Sequence, residues 1–576
     1  MTASPCATAT DRVAALETVL GDPADPLNPL GDAAVLAADR RGELPPGAES
    51  LLGSFGLDAE FVPLDLGGRL TDVATAAELL RAVSRRDLAL ARGYGSASLL
   101  AAQFVWAYGS PGQRRDTARL LLGGGKLATG AYSSHGLAVV PRGGTARWQL
   151  EGSLPALVNA PRAAGFVTTA RHPADGGESV LLIRREDLPP GAVRECSPDE
   201  ADAPRRIPAG SLEFRGWPVP ERSFVGPPGH GFPATVRVLE ATRTMGPSMA
   251  LGCADTALRA ALRAVLTAEG GVRRITSRST RRAVVSQFAD LLVADCVLLV
   301  ATRSLYLRPG PSSIWTAAAR CLVPRLLQQS TGDLRAVLGA HLLREDGGYG
   351  TFRKHLRDLA EVPPGSVGDS RALSTLLPHL ATLARRSWTA ADAGGIDELF
   401  LPGGPLPPLD LGRLDGATTV DPLAGMLAGA HDPTGVGTGP TPTALRLRLR
   451  ELGGQLAGLR EECRRLPEHD PAAVANARGY AHAERYTLLV AAAACLGVWR
   501  SARRRPDAGF LADPSWLTVA LGRISLRLGL PVAAPAPGSR EEEALLSEAV
   551  RRCRENRSLD LYDTVLGSAD PGHRGG

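Results

Sequence analysis

The chain has 576 residues, 44% of them hydrophobic and 22% charged, a composition that fits roughly two to four globular domains. The net charge is only +5, and the arginines are interspersed with Asp and Glu, so no nucleic-acid footprint is present. The N-terminus, MTASPCATATDR, has no basic region followed by an apolar core, so no signal peptide is expected. The most apolar stretch, Tyr486 to Trp499, is shorter than the roughly 20 residues a membrane span needs.

Residues 1–126 read as helices broken by Pro and Gly. Asp11 is placed to cap a first helix through Leu20, and Asp32 a second through Arg40. Gly56 to Asp72, GLDAEFVPLDLGGRLTD, is a Pro/Gly turn region. Amphipathic helices are predicted over Ala74–Leu88, Tyr94–Tyr108 and Gln113–Leu122, and Gly123 to Lys126 closes the segment. Residues 127–235 change to short β-rich runs: Trp148–Leu150, Gly165–Ala170, Ser179–Ile183 and Ser211–Phe214.

Residues 236–400 are helical again. The pattern starts at Phe232 and continues to Leu262 with small residues along it (Gly246, Ala250, Gly252, Ala254), and Pro247 should kink or interrupt it. Arg243 stands in the middle of this run and, if buried, needs an anion or several acceptors. Further helices are predicted over Val284–Leu307 and Trp315–Leu342. Residues 401–442 are rich in Pro, Gly and Thr, a composition expected of a loose linker. Residues 443–576 are helical over Ala444–Arg465, Pro471–Arg500 and Glu541–Asp563. The chain has two lysines, Lys126 and Lys354, and eight widely spaced cysteines without CxxC or Cys/His ligand spacing. Reduced thiols imply a cytoplasmic protein, and no metal site is expected.

The order of strand (Leu212 to Phe214), Val219-Pro220-Glu221 turn, Gly226–Gly231 loop and Arg243-bearing helix resembles the acyl-CoA dehydrogenase superfamily. So do Val62, Pro63 and Gly67-Gly68, then Tyr108, Gly109, Gln113, Leu121, Gly124 and Thr129. Trp148 to Gly152 and Gly165 to Val167 fit its strands, and Gly347, Gly348, Gly350, Arg357 and Asp358 fit its "GG.G......RD" pattern. The resemblance covers roughly residues 40–400. It implies a mainly α protein with a central small β-domain: an N-terminal helical domain, a β-barrel-like middle and a C-terminal four-helix bundle. The helical extension after residue 442 is similar to those of acyl-CoA oxidases and very-long-chain dehydrogenases.

By that resemblance the chain is a flavin-dependent dehydrogenase of acyl-CoA or acyl-carrier-protein thioesters. It would hold FAD and assemble as a homodimer or homotetramer. The family removes an α-proton with a glutamate, while the β-hydrogen leaves as hydride to the flavin. Here Gly365, Ser366 or Val367 stands at the usual glutamate position, and Thr242 at the alternative one before Arg243. Asp369 is the nearest carboxylate to the first position; its other reading is a helix N-cap. Glu240, one turn before Arg243, is the acid on the helix side, or a partner of that arginine. The cofactor contacts implied are Ser134, His135, Asn159, Arg274, Gln287, Gly347 and Gly348, with Arg243 in the substrate cavity. His135 also reads as an ordinary loop histidine. Because the glutamate is missing, two alternatives stand: a flavin monooxygenase of the same fold, and a non-redox thioester-binding or scaffold protein.

Overall fold

The computed structural model describes residues 8–130, 136–142, 147–173, 176–196, 205–267, 277–362, 366–414, 418–431, 443–468, 474–506, 509–531 and 539–567. Its contacts divide it into two compact units, Met1–Met245 and Gly246–Gly576. The first helix, α1 (Ala9–Leu20), is capped by Thr8 rather than Asp11. Thr8 Oγ1 accepts from the Asp11 N–H at 3.2 Å, and the Asp11 carboxylate accepts from the Thr8 N–H at 3.1 Å, a reciprocal capping box. Asp32 likewise is the first residue of α2 (Asp32–Arg41), and Gly31 is its cap.

After α3 (Ala48–Phe55), α4 (Val73–Arg86) starts on the Asp72 side chain and buries almost its whole length. Its Arg85 and Arg86 reach the buried Glu17 of α1 at 2.8 and 3.0 Å. The expected Tyr94–Tyr108 helix is in fact a π-turn, Ala91–Ser96, running into α5 (Ala97–Tyr108). Gly95 is required inside it, since a Cβ would lie 2.5 Å from Leu80 and 2.9 Å from Phe61. Pro111 opens α6 (Pro111–Leu122) at the first helical position, where no N–H is missed.

The middle of the first unit is one sheet. In chain order its strands are β1 (Leu127–Thr129), β2 (Leu137–Pro141), β3 (Trp148–Val158), β4 (Gly165–Arg171), β5 (Glu178–Arg184), β6 (Val193–Glu195), β7 (Ala209–Pro218) and β8 (Phe224–Val225). They lie in the order β6-β7-β3-β2-β4-β5-β8, with β1 parallel to β4. One face packs on Leu150, Leu154, Phe166, Leu181, Ile183, Leu212 and Phe214. β3 is far longer than its sequence pattern suggests. Its ladder to β7 shifts register between Leu154 and Leu157, and Ala156 sits at φ +50°, so the apolar alternation is broken by a bulge. Helix α7 (Gly231–Thr242) completes this unit.

The second unit is helical. The expected interruption at Pro247 is a break at Arg243-Thr244, and Pro247 falls in the first turn of α8 (Met245–Thr267), where proline is tolerated. Then follow α9 (Arg278–Leu307), α10 (Pro309–Leu338), α11 (Gly347–Glu361) and α12 (Ser366–Arg386). Helix α9 is long and apolar enough to cross a membrane, but 89% of its apolar window is buried among its neighbours, as in a core helix.

The 401–442 stretch is not loose throughout. Asp421 caps a short helix, α13 (Pro422–Ala428), whose residues Leu423 and Leu427 are fully buried. The reason is one carboxylate. Asp421, itself inaccessible, accepts from Tyr486 Oη at 2.6 Å, Trp388 Nε1 at 3.1 Å, Trp315 Nε1 at 3.2 Å and the Ala424 N–H at 3.1 Å. Beyond it come α14 (Thr443–Cys463), α15 (Ala477–Arg503), α16 (Pro514–Arg527) and α17 (Arg540–Arg554). Tyr486 to Trp499 is buried within α15, as its composition predicts. Helix α16 has no counterpart among the predicted elements, although Asp513-Pro514 marks its start with a cap and a first-turn proline.

Candidate functional site

Residues of helices α9, α10 and α16 of the second unit line an open cavity of about 700 Å³. One wall is the first turns of α9, which present Arg278, Ser279, Arg282, Ala283 and Ser286. Residues 278, 282 and 286 are four apart and lie one above another on the helix. Ser330 and Asp333 come from α10, and Arg523 from α16. Arg278 and Arg282 are exposed and make no ion pair among the described residues. Ser277 caps α9, accepting from the Thr280 N–H at 3.3 Å, so the positive end of a 30-residue helix opens beside the cavity.

Behind the cavity, Asp290 is buried and shared by two guanidiniums. Arg523 reaches it at 3.1 and 2.6 Å, and Arg527 at 3.2 and 2.8 Å. Burial pulls the Arg523 pKa down, and the hydrogen bonds and charge of Asp290, with the charge of Asp333, more than offset this. With two cations on one carboxylate, and Asp333 as the single acid lining the cavity among the described residues, the surroundings are net positive. Such an arrangement suits a di-anionic group, and guanidinium forks suit phosphate oxygens in particular.

The predicted contacts are scattered. Gln287 is fully buried, and its Nε2 donates to Thr331 Oγ1 at 2.8 Å, tying α9 to α10 next to the cavity. Arg274, Ser134 and His135 lie outside the described residues. Asn159 sits at φ +66° after β3 and is fully buried. Its Nδ2 donates to the Gly93 carbonyl at 2.6 Å and its Oδ1 accepts from Arg162 Nε at 3.0 Å. That amide joins the sheet to the π-turn. Gly348 packs on α8, where a Cβ would meet the Ala260 carbonyl at 2.7 Å, while Gly347 is exposed at φ +55°.

Arg243 is half-buried at the end of α7. The Thr242 hydroxyl before it donates to the Val238 carbonyl at 2.8 Å, and Glu240 is buried in the same helix. Asp369 is the fourth residue of α12, which starts at Ser366, so it is not the N-cap that the sequence suggests. Of the three residues that the resemblance implies for the usual glutamate position, Ser366 and Val367 belong to the same first turn and Gly365 lies outside the described residues.

A second polar group lies in the first unit. Lys126 Nζ is 3.2 Å from Asp58 Oδ1 and 3.4 Å from the centre of the Tyr94 ring, and Tyr94 Oη donates to Asp58 Oδ2 at 2.5 Å. Burial lowers the Lys126 pKa, opposed by Asp58, and burial together with Asp58 raises that of Tyr94. Tyr94 is delivered by the π-turn, a feature frequent at functional sites.

In sequence no family model matches the chain, and neither does any curated protein. Solved structures do match it in fold. A butyryl-CoA dehydrogenase from Megasphaera elsdenii superposes with a TM-score of 0.54 at 17% identity, covering 65% of this chain and 98% of its own. An acyl-CoA dehydrogenase complexed with FAD from Bacillus anthracis gives a TM-score of 0.66 at 13% identity over 97% of this chain and 93% of its own. A dibenzothiophene monooxygenase from Paenibacillus sp. A11-2 gives 0.51 at 19% identity over 62% of this chain and 92% of its own. The protein is thus a mainly helical chain around a central sheet. Its fold is that of the acyl-CoA dehydrogenase superfamily, and the 97% coverage brings the C-terminal helices into that likeness.

Proposed function

We propose that the chain is a flavin-dependent oxidoreductase of acyl-CoA or acyl-carrier-protein thioesters, acting by α,β-dehydrogenation. The observation that carries this is the arginine-lined cavity at the start of α9, within a fold whose solved neighbours include an acyl-CoA dehydrogenase complexed with FAD. The residues present fit the diphosphate of FAD. Arg278 and Arg282 offer forked donors, and the hydroxyls of Ser279, Ser286 and Ser330 add single hydrogen bonds. Asp333 is the acceptor available to a ribose hydroxyl or an amine. When bound, FAD supplies the hydride chemistry that side chains cannot. Arg243 is the cation assigned to the substrate. Asp369 is the acid assigned to the α-proton, since a carbon acid needs a positioned carboxylate.

Monooxygenation is the second reading, and a specific observation favours it. By the resemblance, Thr242 stands at one of the two positions where the family carries its glutamate and Gly365, Ser366 or Val367 at the other, and the Thr242 hydroxyl is turned back on the Val238 carbonyl. A monooxygenase does not need that base, and the dibenzothiophene monooxygenase is among the fold neighbours. Assembly as a homodimer or homotetramer belongs to the proposal. It is supported by the Gly347 turn, where Leu343 is 82% exposed. The test is anaerobic mixing of the FAD-loaded protein with acyl-CoA and acyl-carrier-protein thioesters. Bleaching of the flavin supports dehydrogenation. Flavin that binds and is reduced by no thioester overturns it in favour of monooxygenation.

A further inference from the structure

The strongest unassigned cluster lies elsewhere in the helical unit, between α8 and α11. These helices run antiparallel. Gly348 faces Ala260 and Ala264 near one end of the contact, and His355 and Asp358 face Cys253 near the other. Cys253, His355 and Asp358 are 0%, 1% and 4% exposed. Each offers one ligand atom, and the three atoms lie within 4.8 Å of one another. His355 and Asp358 are three apart, so one helix face presents both. Beside them Lys354, 1% exposed, holds Asp358 Oδ2 at 2.7 Å.

We propose that Cys253, His355 and Asp358 form a binding site for one thiophilic divalent cation of the zinc class, which clamps α11 to α8. The donor set decides the class. Thiolate, imidazole and carboxylate together suit zinc or cobalt, whereas magnesium and calcium take oxygen ligands. Around a tetrahedral ion at about 2.0–2.3 Å, ligand atoms stand roughly 3.5 Å apart, so a spread of up to 4.8 Å closes by small side-chain rotations. Lys354 takes one carboxylate oxygen and a carboxylate has two, which makes the ammonium an outer partner that orients Asp358. The ion replaces the thiol proton, which leaves to solvent, and no redox change is involved. Three protein ligands leave the fourth position to water.

The test uses the full chain, stripped with a chelator and given Zn²⁺ or Co²⁺ alone. Native mass spectrometry should count one ion per chain, and the cobalt form should show a thiolate-to-metal charge-transfer band. Cys253→Ser should remove that band, and His355→Gln should remove stoichiometric binding, each with an unchanged circular-dichroism spectrum. If either variant fails to fold, the wild-type cobalt spectrum decides. A chain that takes up no ion, a cobalt form without the thiolate band, or uptake that both variants retain overturns the site. None of these readouts depends on flavin or on activity.

Discussion

Asp421 turns a Pro/Gly-rich stretch into part of the core, and its removal can be given a magnitude. Asp421→Ala leaves four buried donors, Tyr486 Oη, Trp388 Nε1, Trp315 Nε1 and the Ala424 N–H, without their acceptor. Each orphaned donor costs about 1–3 kcal/mol, and deleting a desolvated charge returns part of the sum, so a net loss of about 3–5 kcal/mol is expected. Asp421→Asn keeps the shape and one acceptor oxygen, and the Tyr486 hydroxyl can rotate to accept from the new amide. Its loss should be about 1–3 kcal/mol. Urea unfolding followed by tryptophan fluorescence reads this well, since Trp315 and Trp388 are themselves partners. The pH dependence carries a sign. Burial raises the Asp421 pKa against its four hydrogen bonds, so the folded state holds the proton more tightly than the unfolded one. Wild-type stability should therefore fall as pH rises from the ordinary carboxylate range to the raised value, then level off. The Asn variant lacks this slope, so its deficit should be smaller above that window than below it. A loss under about 1 kcal/mol for Asp421→Ala, or an Asn deficit that grows with pH, would refute the reasoning.

Three further outcomes follow from the packing. Arg278→Ala and Arg282→Ala should each weaken ADP binding by about 10–100-fold, more at low salt than at high, with the melting temperature unchanged. Isothermal titration at two ionic strengths checks this. Gly348→Ala should cost about 1–3 kcal/mol because its Cβ would press on the Ala260 carbonyl, whereas nothing lies within 4 Å of a Cβ at Gly347, where only the positive φ resists substitution. Thermal melts of the two variants separate packing from backbone strain. Lys126→Met should cost about 3–5 kcal/mol by leaving Asp58 buried beside Tyr94 without its cation, and adding Asp58→Asn should restore much of that loss. A double-mutant cycle by denaturant unfolding measures it, and additive losses would count against the pairing.

The sequence is legible where local chemistry decides. The glycine-rich entry to α11 and the break near Pro247 rest on backbone rules that neighbours do not override, whereas the Pro111 start lies two residues before the predicted Gln113 and the helix from Pro514 goes unread although it obeys the same rule. The π-turn is not legible, since Ala91 to Ser96 carries the same small and aromatic residues as an ordinary helix. β3 looks short in sequence because its bulge at Ala156 destroys the two-residue period. Asp421 escapes notice because its partners come from positions 315, 388 and 486, and no local pattern announces a carboxylate with three distant donors. The cavity is not legible in this way: the helix is expected from Val284, so Arg278 and Arg282 fall before it, whereas α9 starts at Arg278, and Arg523 enters from more than 200 residues away. Of the implied contacts, Asn159 and Gln287 match a motif, and in the fold their amides serve the joints of the scaffold.

Binding of FAD decides between the redox and non-redox readings of this fold. The direct measurement is the visible spectrum of the purified chain after incubation with excess FAD and gel filtration. A yellow protein, with flavin absorbance co-eluting and lost in the Arg278→Ala/Arg282→Ala double variant, is the predicted result. A colourless wild-type chain that retains no FAD would contradict the account and leave a scaffold that holds its acyl thioester, if any, without redox chemistry.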